Sequence, residues 1–415
     1  MHDSQRRHAA VSNPSQELRQ VARALEGSFA DLVELAHADA ASNDAEGTSR
    51  RQRVPAQLLA RARAHGLDQR RDLAPAIDAW RRQTRAAAAT HLVLDATTVL
   101  VGRALGRAGI DWLPLKGVDL VRRGVYDGAE QRPCGDLDLL IPGDALEAAR
   151  EALEAAGCVG LASGPRAARY LRDEGYAWQA RAPTGSLVEL HWRLWGSAPA
   201  ALADHLVDAS RPAPELGPTA RQATTVHAWL IAAFHLWLDP PPRAVGRFLD
   251  LVQVADTTAD DDSLGDAAFR ERLIAETEAL GLQLPACLAA GVAADLFETA
   301  RPTHTAILDA LGASLRGPER LLFAAHQGIR AADLPTGALA AARLTAGRGS
   351  RHGARAVGRR LWPHPGIVED ATRSDASSPW PLRRLHFQAR LVGAALRRFG
   401  ELVTSRLGAF ARFRE

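Results

Sequence analysis

Apolar residues recur every three to four positions through most of the first 110 residues, a spacing that predicts amphipathic helices. These helices are predicted over 15–38, 54–64 and 74–108. A polar stretch, ASNDAEGTSRRQR, follows the first of them, and Gly109 is placed to end the third as a C-cap. The chain is therefore expected to begin with a helical region, residues 1–90.

Between residues 111 and 194 the pattern changes to short runs that are typical of β-strands. The last two runs alternate apolar and polar residues on either side of Thr184-Gly185, which predicts a β-hairpin. Strands are predicted at 111–117, 136–142, 176–183 and 186–194, with helices at 118–125 and 144–156. This order of elements predicts an α+β fold, in which a small mixed sheet at 91–195 is embedded in mostly helical N- and C-terminal regions.

Helical periodicity resumes after the sheet region and predicts a helical domain at 196–340. Its helices are expected at 223–238, 244–256, 265–281, 284–299, 303–315 and 317–331. The last region, 341–415, combines a Gly/Arg-rich linker with an amphipathic helix from about Leu382 to Phe413. The apolar stripe of that helix is expected to pack on the helical body, with an anionic membrane surface or nucleic acid as alternative partners.

Composition narrows the class of protein. With 47% hydrophobic and 24% charged residues over 415 positions, the chain has the averages of a globular protein and not those of a disordered one. The net charge of +3 is uneven, because residues 341–415 carry fifteen Arg and five acids, near +10, and the rest is near −7. No signal peptide and no transmembrane segment are predicted. Three widely spaced cysteines favour a reducing, cytoplasmic compartment.

Two aspartates stand two positions apart in the predicted strand that follows Gly135. Alternate residues of a strand point to the same side of its sheet, so Asp136 and Asp138 are predicted to project together. Adjacent carboxylates repel each other unless a cation lies between them, and their oxygens suit Mg²⁺ or Mn²⁺. A third acid, Glu189, lies mid-strand among apolar residues. The three carboxylates are therefore predicted to hold one or two divalent ions and to position a triphosphate.

The only lysine of a chain with fifty arginines, Lys116, falls where a predicted strand meets a helix. Backbone N–H groups at such a turn, formed here with Gly117, attract phosphate, and a flexible ammonium would reach a phosphate oxygen. Arg132, in the loop before the acids, is either a second phosphate contact or a solvated loop charge. Chance alone would rarely place a single lysine at such a turn, so Lys116 is predicted to contact the triphosphate.

Three further residues have ordinary structural explanations. His191 shares the face of Glu189 and either borders the metal site or only hydrogen-bonds the acid. Arg247 and Asp250, three positions apart, are expected to pair on one helix. Neither explanation requires a catalytic role.

The segment LPLKGVDLVRRGVYDGAEQRPCGDLDLLIP, followed by LVELHW, resembles a bacterial nucleotidyltransferase-like family of the DNA polymerase beta nucleotidyltransferase superfamily. The resemblance covers about 91–260 and includes the helical segment with His235, Arg247 and Asp250. Its motifs are specific only when taken together and in order. One departure is that Gly117 is followed by Val118, where the superfamily usually has Ser or Gly.

This resemblance implies a transfer of NMP from an NTP, such as ATP, to an acceptor, with release of pyrophosphate. Asp136, Asp138 and Glu189 would be the catalytic and metal-binding residues, with Mg²⁺ or Mn²⁺ as cofactor. Gly135 would join Lys116, Gly117 and Arg132 in binding the nucleotide. A peptide or a small molecule is an acceptor that the resemblance allows.

Two alternatives to an enzyme of this kind remain open at this point. One is a non-catalytic protein that keeps the nucleotidyltransferase fold and uses its basic tail to hold an anionic partner. The other is RNA binding through the same tail, which is less favoured because the whole chain has only three Tyr for base stacking.

Overall fold

The computed structural model describes residues 14–41, 48, 52–161, 175–194, 200–238, 244–257, 266–315, 319–320 and 323. The predicted tail helix, the Gly/Arg-rich linker and most of the predicted helix 317–331 lie outside these residues.

Helices make up most of the described chain, and most of them begin and end within a few residues of the predicted positions. Short 3₁₀ turns connect some of them. The helices are α1 (Pro14–Glu26), α2 (Phe29–Ala40), α3 (Pro55–Ala64), α4 (Ala74–Arg107), α5 (Lys116–Arg122), α6 (Leu146–Ala155), α7 (Ala200–Asp208), α8 (Thr225–Leu238), α9 (Val245–Asp256), α10 (Asp266–Leu280), α11 (Gln283–Leu296) and α12 (Arg301–Ser314).

The strands form one five-stranded mixed sheet and one two-stranded ribbon. They are β1 (Leu113–Pro114), β2 (Asp136–Leu140), β3 (Val159–Gly160), β4 (Ala177–Arg181), β5 (Leu187–His191), β6 (Arg211–Pro212) and β7 (Arg221–Gln222). The order in the sheet is β1-β2-β5-β4-β3. Strands β2 and β5 are parallel, whereas the other three pairings are antiparallel. The predicted α+β fold with a mixed sheet is confirmed.

One face of the sheet is apolar at its centre. Leu137 and Leu139 of β2, Val188 and Leu190 of β5 and Trp178 of β4 are each at most 2% exposed. The alternate positions of the same strands carry Asp136, Asp138, Glu189, His191 and Gln179. Burying the apolar face against the protein interior therefore fixes which side of the sheet carries the polar residues.

The first predicted helix, 15–38, is two helices in the structure. Gly27 has a φ of 114°, a conformation that an L side chain rarely adopts, so the helix cannot continue through it. Ser28 then caps α2, because its hydroxyl oxygen accepts a hydrogen bond from the Asp31 backbone N–H at 3.3 Å. The periodic spacing of apolar residues continued across this break, so periodicity alone did not reveal it.

The predicted hairpin of β4 and β5 is confirmed, and its loop has three residues, Pro183 to Gly185. The Ala182 N–H donates to the Ser186 carbonyl oxygen at 2.9 Å. Gly185 has a φ of 90°, which suits the last position of a three-residue hairpin loop. This loop length pairs Gln179 with Glu189, whereas a two-residue loop would shift the register by one position.

The chain divides into two compact units, each assembled from separate segments. Among the described residues, the helical unit draws on Met1–Val93, Lys116–Gly135 and Thr224–Leu334, and the sheet unit draws on Leu94–Leu115 and Asp136–Ala223. Helix α4 contributes residues to both units. The division into four consecutive regions remains a prediction.

The core of the helical unit forms around α8. This helix packs against α5, α9, α10 and α11, and α11 packs along α12. Trp229 of α8, Phe248 of α9 and Leu284 of α11 are each fully buried. Helix α8 therefore has little surface left for solvent.

Among the described helices, none combines the length and the apolar composition that crossing a bilayer requires.

Candidate active site

The register of the two parallel strands brings two acids together. Asp138 of β2 is paired with Glu189 of β5, so their side chains project side by side from the polar face of the sheet. Asp138 is only 5% exposed and Glu189 is half-buried. Two carboxylates held side by side repel each other unless a cation or a hydrogen-bond donor lies close to them.

His191 supplies such a group at the carboxyl end of β5. Its Nε2 lies 3.0 Å from Asp138 Oδ1 and 3.5 Å from Glu189 Oε2. One ligand atom from each of the three residues lies within 4.8 Å of the other two. We call Asp138, Glu189 and His191 the carboxylate–histidine cluster.

The strand on the other side of β5 also contributes to the cluster. Gln179 of β4 lies opposite Glu189 and donates a hydrogen bond from Nε2 to Glu189 Oε1 at 2.6 Å. The ring of Tyr176 packs on that of His191 with centroids 5.7 Å apart. These contacts fix the Glu189 carboxylate and the imidazole from the side away from Asp138.

Sequence reasoning placed His191 on the correct face but gave it no catalytic role, and it did not find Gln179 at all. The strand alternation that identified Glu189 also applies to His191, two positions later. Gln179 could be found only from the exact loop length of the hairpin, because a shift of one residue replaces it with Ala180.

Asp136 lies on the same face of β2 as Asp138 and is paired with Leu187. It is more exposed than Asp138. The structure thus brings Asp138 and Glu189 close together and leaves Asp136 two residues earlier on the same face of β2.

The donor set of the carboxylate–histidine cluster fits a divalent cation. Carboxylate oxygens and an imidazole nitrogen are common ligands of divalent metals in proteins, and bonds of about 2.1 Å bring such atoms close together. The spacing within 4.8 Å meets that requirement without a change of the backbone. The residues present therefore fit the metal that the sequence predicted.

The predicted nucleotide-binding residues Lys116, Gly117, Arg132 and Gly135 belong to the helical unit, whereas the three acids belong to the sheet unit. Lys116 is the first residue of α5 and has a φ of 55°, in the left-handed region that non-glycine residues rarely adopt. Strain of this kind is often found at functional sites. The predicted strand 111–117 is consequently shorter than expected, because the helix already begins at Lys116.

Gly117 is required by a close contact in the helical unit. A Cβ atom at this position would lie 2.0 Å from Cys134 Sγ and 3.6 Å from an amino nitrogen of Arg132. Because no side chain can occupy that space, Gly117 lets α5 approach the loop that leads to β2.

Arg132 is buried, in contrast to the solvated loop charge that was one of its two expected roles. Its Nε and one terminal nitrogen donate to the two oxygens of Asp250 at 2.6 and 2.7 Å, and the other terminal nitrogen donates to the Pro133 carbonyl at 3.0 Å. The Tyr126 hydroxyl donates to Asp250 at 2.6 Å. Both oxygens of Asp250 are thus engaged with the loop, and not with Arg247 alone as the helix spacing had suggested.

Burial and the charge of Asp250 both shift the pKa values of Arg132 and Tyr126. Burial disfavours the charged Arg132 guanidinium, but the Asp250 carboxylate outweighs this and raises the pKa of Arg132. Burial, together with Asp250, raises the pKa of Tyr126 well above its usual range. Arg132 therefore stays charged and Tyr126 stays neutral at physiological pH.

Two of the cysteines, Cys158 and Cys287, are buried. Burial raises the pKa of the Cys287 thiol to about 12 and also raises that of Cys158. A protonated thiol is a poor nucleophile and a poor metal ligand.

A mixed sheet with paired carboxylates on adjacent strands is consistent with an α+β nucleotidyltransferase core. A family model described as uncharacterised nucleotidyltransferase matches residues 47–298, and the chain belongs to that family. The matched segment contains every predicted site residue and confirms the resemblance seen in the sequence. Nucleotidyl transfer is thus the general activity that family membership supports. No curated protein matches the chain.

Proposed function

We propose that the protein is a metal-dependent nucleotidyltransferase that moves an NMP group from an NTP to an acceptor. An oxygen of the acceptor attacks the α-phosphorus, the bond from this phosphorus to the bridging oxygen breaks, and pyrophosphate leaves. The observation that carries the proposal is the pairing of Asp138 with Glu189 on parallel strands, within reach of one cation. The acceptor is a hydroxyl, carboxyl or phosphate group of a peptide or small molecule.

The acids have the role of holding the cation and the reacting groups. Asp136, Asp138 and Glu189 are proposed as its ligands, with Glu189 also placed to accept the proton of an acceptor hydroxyl. A divalent ion such as Mg²⁺ or Mn²⁺, when bound, neutralises the triphosphate and stabilises the attacking and leaving oxygens. The hydrogen bond from Gln179 restrains Glu189 for this task.

The nucleotide phosphates are proposed to contact Lys116 and the backbone of Gly117 and Gly135. Lys116 offers a flexible charge, and the glycines allow close approach of the backbone. Arg132 donates from all three guanidinium nitrogens to Asp250 and Pro133. Its support for nucleotide binding is therefore proposed to act mainly through the loop that it anchors, and a direct phosphate contact stays a prediction.

A pyrophosphate-release assay tests the proposal. The full chain is incubated with each NTP and with Mg²⁺ or Mn²⁺, and with Asp138→Asn as the variant. Asp144→Asn is the matched control, because Asp144 is an exposed acid of the sheet unit. The metal and the acid together account for several kcal/mol of transition-state stabilisation, so Asp138→Asn should lower the rate about a thousandfold or more.

Because the acceptor is unknown, the assay includes slow transfer to water and mixtures of peptides and small hydroxylated molecules. Release of pyrophosphate that depends on Asp138 and not on Asp144 supports the proposal. A chain that binds NTP but releases no pyrophosphate under any of these conditions would instead indicate a binding protein with this fold.

A further inference from the structure

The carboxylate–histidine cluster contains a nitrogen donor in a site otherwise built from carboxylate oxygens. His191 is 2% exposed, and its Nε2 faces both Asp138 and Glu189. The proposed function uses only the acids. The imidazole therefore needs a separate explanation.

The backbone around His191 leaves the ring little freedom. The Ile141 N–H donates to the His191 carbonyl at 2.9 Å on one side, and the Trp192 N–H donates to the Tyr176 carbonyl at 3.1 Å on the other. The Tyr176 ring covers the imidazole. The backbone at His191 is thus hydrogen-bonded to the chain on both sides, and the ring contacts that of Tyr176.

The distances inside the cluster are those between neighbouring ligands of one ion. In an octahedral site with bonds of about 2.1 Å, adjacent ligand atoms lie about 3.0 Å apart, and a tetrahedral site gives about 3.4 Å. The distances from His191 Nε2 to the two carboxylate oxygens, 3.0 and 3.5 Å, fall at these values. An ion would need only small side-chain adjustments to bind all three atoms.

The kind of donor determines the kind of ion. Mg²⁺ prefers oxygen ligands and retains several waters, whereas imidazole suits transition-metal ions. A cluster of two carboxylates and one imidazole therefore discriminates between ions that a purely carboxylate site would bind more equally.

We propose that His191 Nε2 is a direct metal ligand, together with Asp138 and Glu189, and that it makes the site prefer Mn²⁺ to Mg²⁺. This proposal rests on the metal site of the proposed function and ranks the two ions named there. His191 is then a residue that determines metal specificity.

Metal binding to the full chain, measured by calorimetry without nucleotide, tests the preference. His191→Gln replaces the nitrogen with an amide whose oxygen is a harder donor. Loss of a partner in the outer shell already costs about tenfold in metal affinity, and loss of a ligand should cost at least as much. We expect His191→Gln to weaken Mn²⁺ binding about tenfold or more, and Mg²⁺ binding by less.

The control is His37→Gln, since the His37 side chain is 53% exposed and lies in the helical unit. This variant should bind both ions as the unchanged protein does. An unaltered ratio of Mn²⁺ to Mg²⁺ affinity in His191→Gln would overturn the proposal.

Pulsed electron paramagnetic resonance of the Mn²⁺-loaded protein gives a second reading that does not depend on a variant folding. A directly bound imidazole produces a ¹⁴N coupling to Mn²⁺, which a histidine that only hydrogen-bonds Asp138 from outside the coordination sphere would lack. We expect this coupling in the unchanged protein and in His37→Gln. Its absence from the unchanged protein would contradict ligation by His191.

The metal proposal and the proposed function can fail separately. Mn²⁺ binding with ¹⁴N coupling, but no pyrophosphate release from any NTP, would support the metal proposal and contradict the transferase. Pyrophosphate release that depends on Asp138, combined with unchanged metal preference in His191→Gln, would do the opposite.

Discussion

Arg132 and Asp250, 118 positions apart in the chain, form a two-point ion pair whose side chains are each 5% exposed. The pair joins the loop before β2 to helix α9. Because His91 Nε2 also lies 2.7 Å from the Arg132 carbonyl oxygen, both the backbone and the side chain of this residue are held.

Removing one member of this pair should destabilise the protein strongly. Asp250→Asn leaves the buried guanidinium without its counter-charge, which typically costs about 3–5 kcal/mol. Tyr126→Phe removes one hydrogen bond to the same carboxylate and should cost about 1.5–3 kcal/mol. Urea unfolding followed by tryptophan fluorescence measures both changes.

The double variant Arg132→Met with Asp250→Leu is the control for the ion pair. It removes both charges, so its loss of stability should be smaller than the sum of the losses measured for Arg132→Met alone and for Asp250→Leu alone. Additive losses would show that the two side chains act independently.

Gly117→Ala should destabilise the protein through a single contact. The new Cβ would lie 2.0 Å from Cys134 Sγ, so the Cys134 side chain, the loop or α5 must move, at about 1–3 kcal/mol. Adding Cys134→Ala removes the sulfur and leaves a contact of 3.5 Å with the Cβ of residue 134. Thermal melting of the two variants should therefore show recovery in the double one, and no recovery would place the cause elsewhere.

Lys116 allows the backbone and the side chain to be tested separately. Its positive φ costs a non-glycine residue about 1–2 kcal/mol, so Lys116→Gly should raise the unfolding free energy by up to about 1 kcal/mol. The same variant should lower nucleotide affinity, as should Lys116→Ala. Lys116→Arg should also bind nucleotide less tightly, because its planar group is bulkier.

Calorimetric titration with an unreactive NTP analogue measures these affinities. Unchanged affinity in all three variants would remove Lys116 from the proposed nucleotide site.

His304 gives the helical unit a pH dependence. It is fully buried beside Trp229, and burial lowers its pKa below the ordinary value of 6.5. Below about pH 6.5, His304 is therefore protonated in the unfolded chain but still neutral in the folded one. The full contribution of the neutral His304 to the unfolding free energy is present above this pH and is lost as the pH falls below it. The loss should reach at most about 1.4 kcal/mol per pH unit until the folded-state pKa is passed.

His304→Leu should lack this component. The measurement is the difference in unfolding free energy between the two proteins at pH 7.5 and 5.5, which cancels the other titrating groups. An equal pH dependence in both proteins would contradict a depressed pKa at His304.

The strand alternation of the sequence predicted the faces of Asp136, Asp138 and Glu189 correctly, because burial of one side of a sheet imposes a period of two. The glycine signals also predicted where α4 ends and where the hairpin turns. These features depend on neighbouring residues, and local patterns are sufficient to predict them.

Contacts between distant segments were not predictable in the same way. The pairing of Arg132 with Asp250, the approach of Gly117 to Cys134 and the position of Gln179 opposite Glu189 all depend on how elements meet in space. The sequence contains no local pattern for such encounters, and for Gln179 a single residue in the loop decides the outcome.

The strand order β1-β2-β5-β4-β3 makes β5 the middle of the sheet, with a hydrogen-bonded neighbour on each side. Local opening of a sheet starts from its edges, so we expect the amides of the central strand to exchange with deuterium last. Glu189 and His191 stand on that strand. The spacing of their side chains is thus expected to persist when β1 and β3 open locally. An ion would then bind to ligands that folding has already positioned.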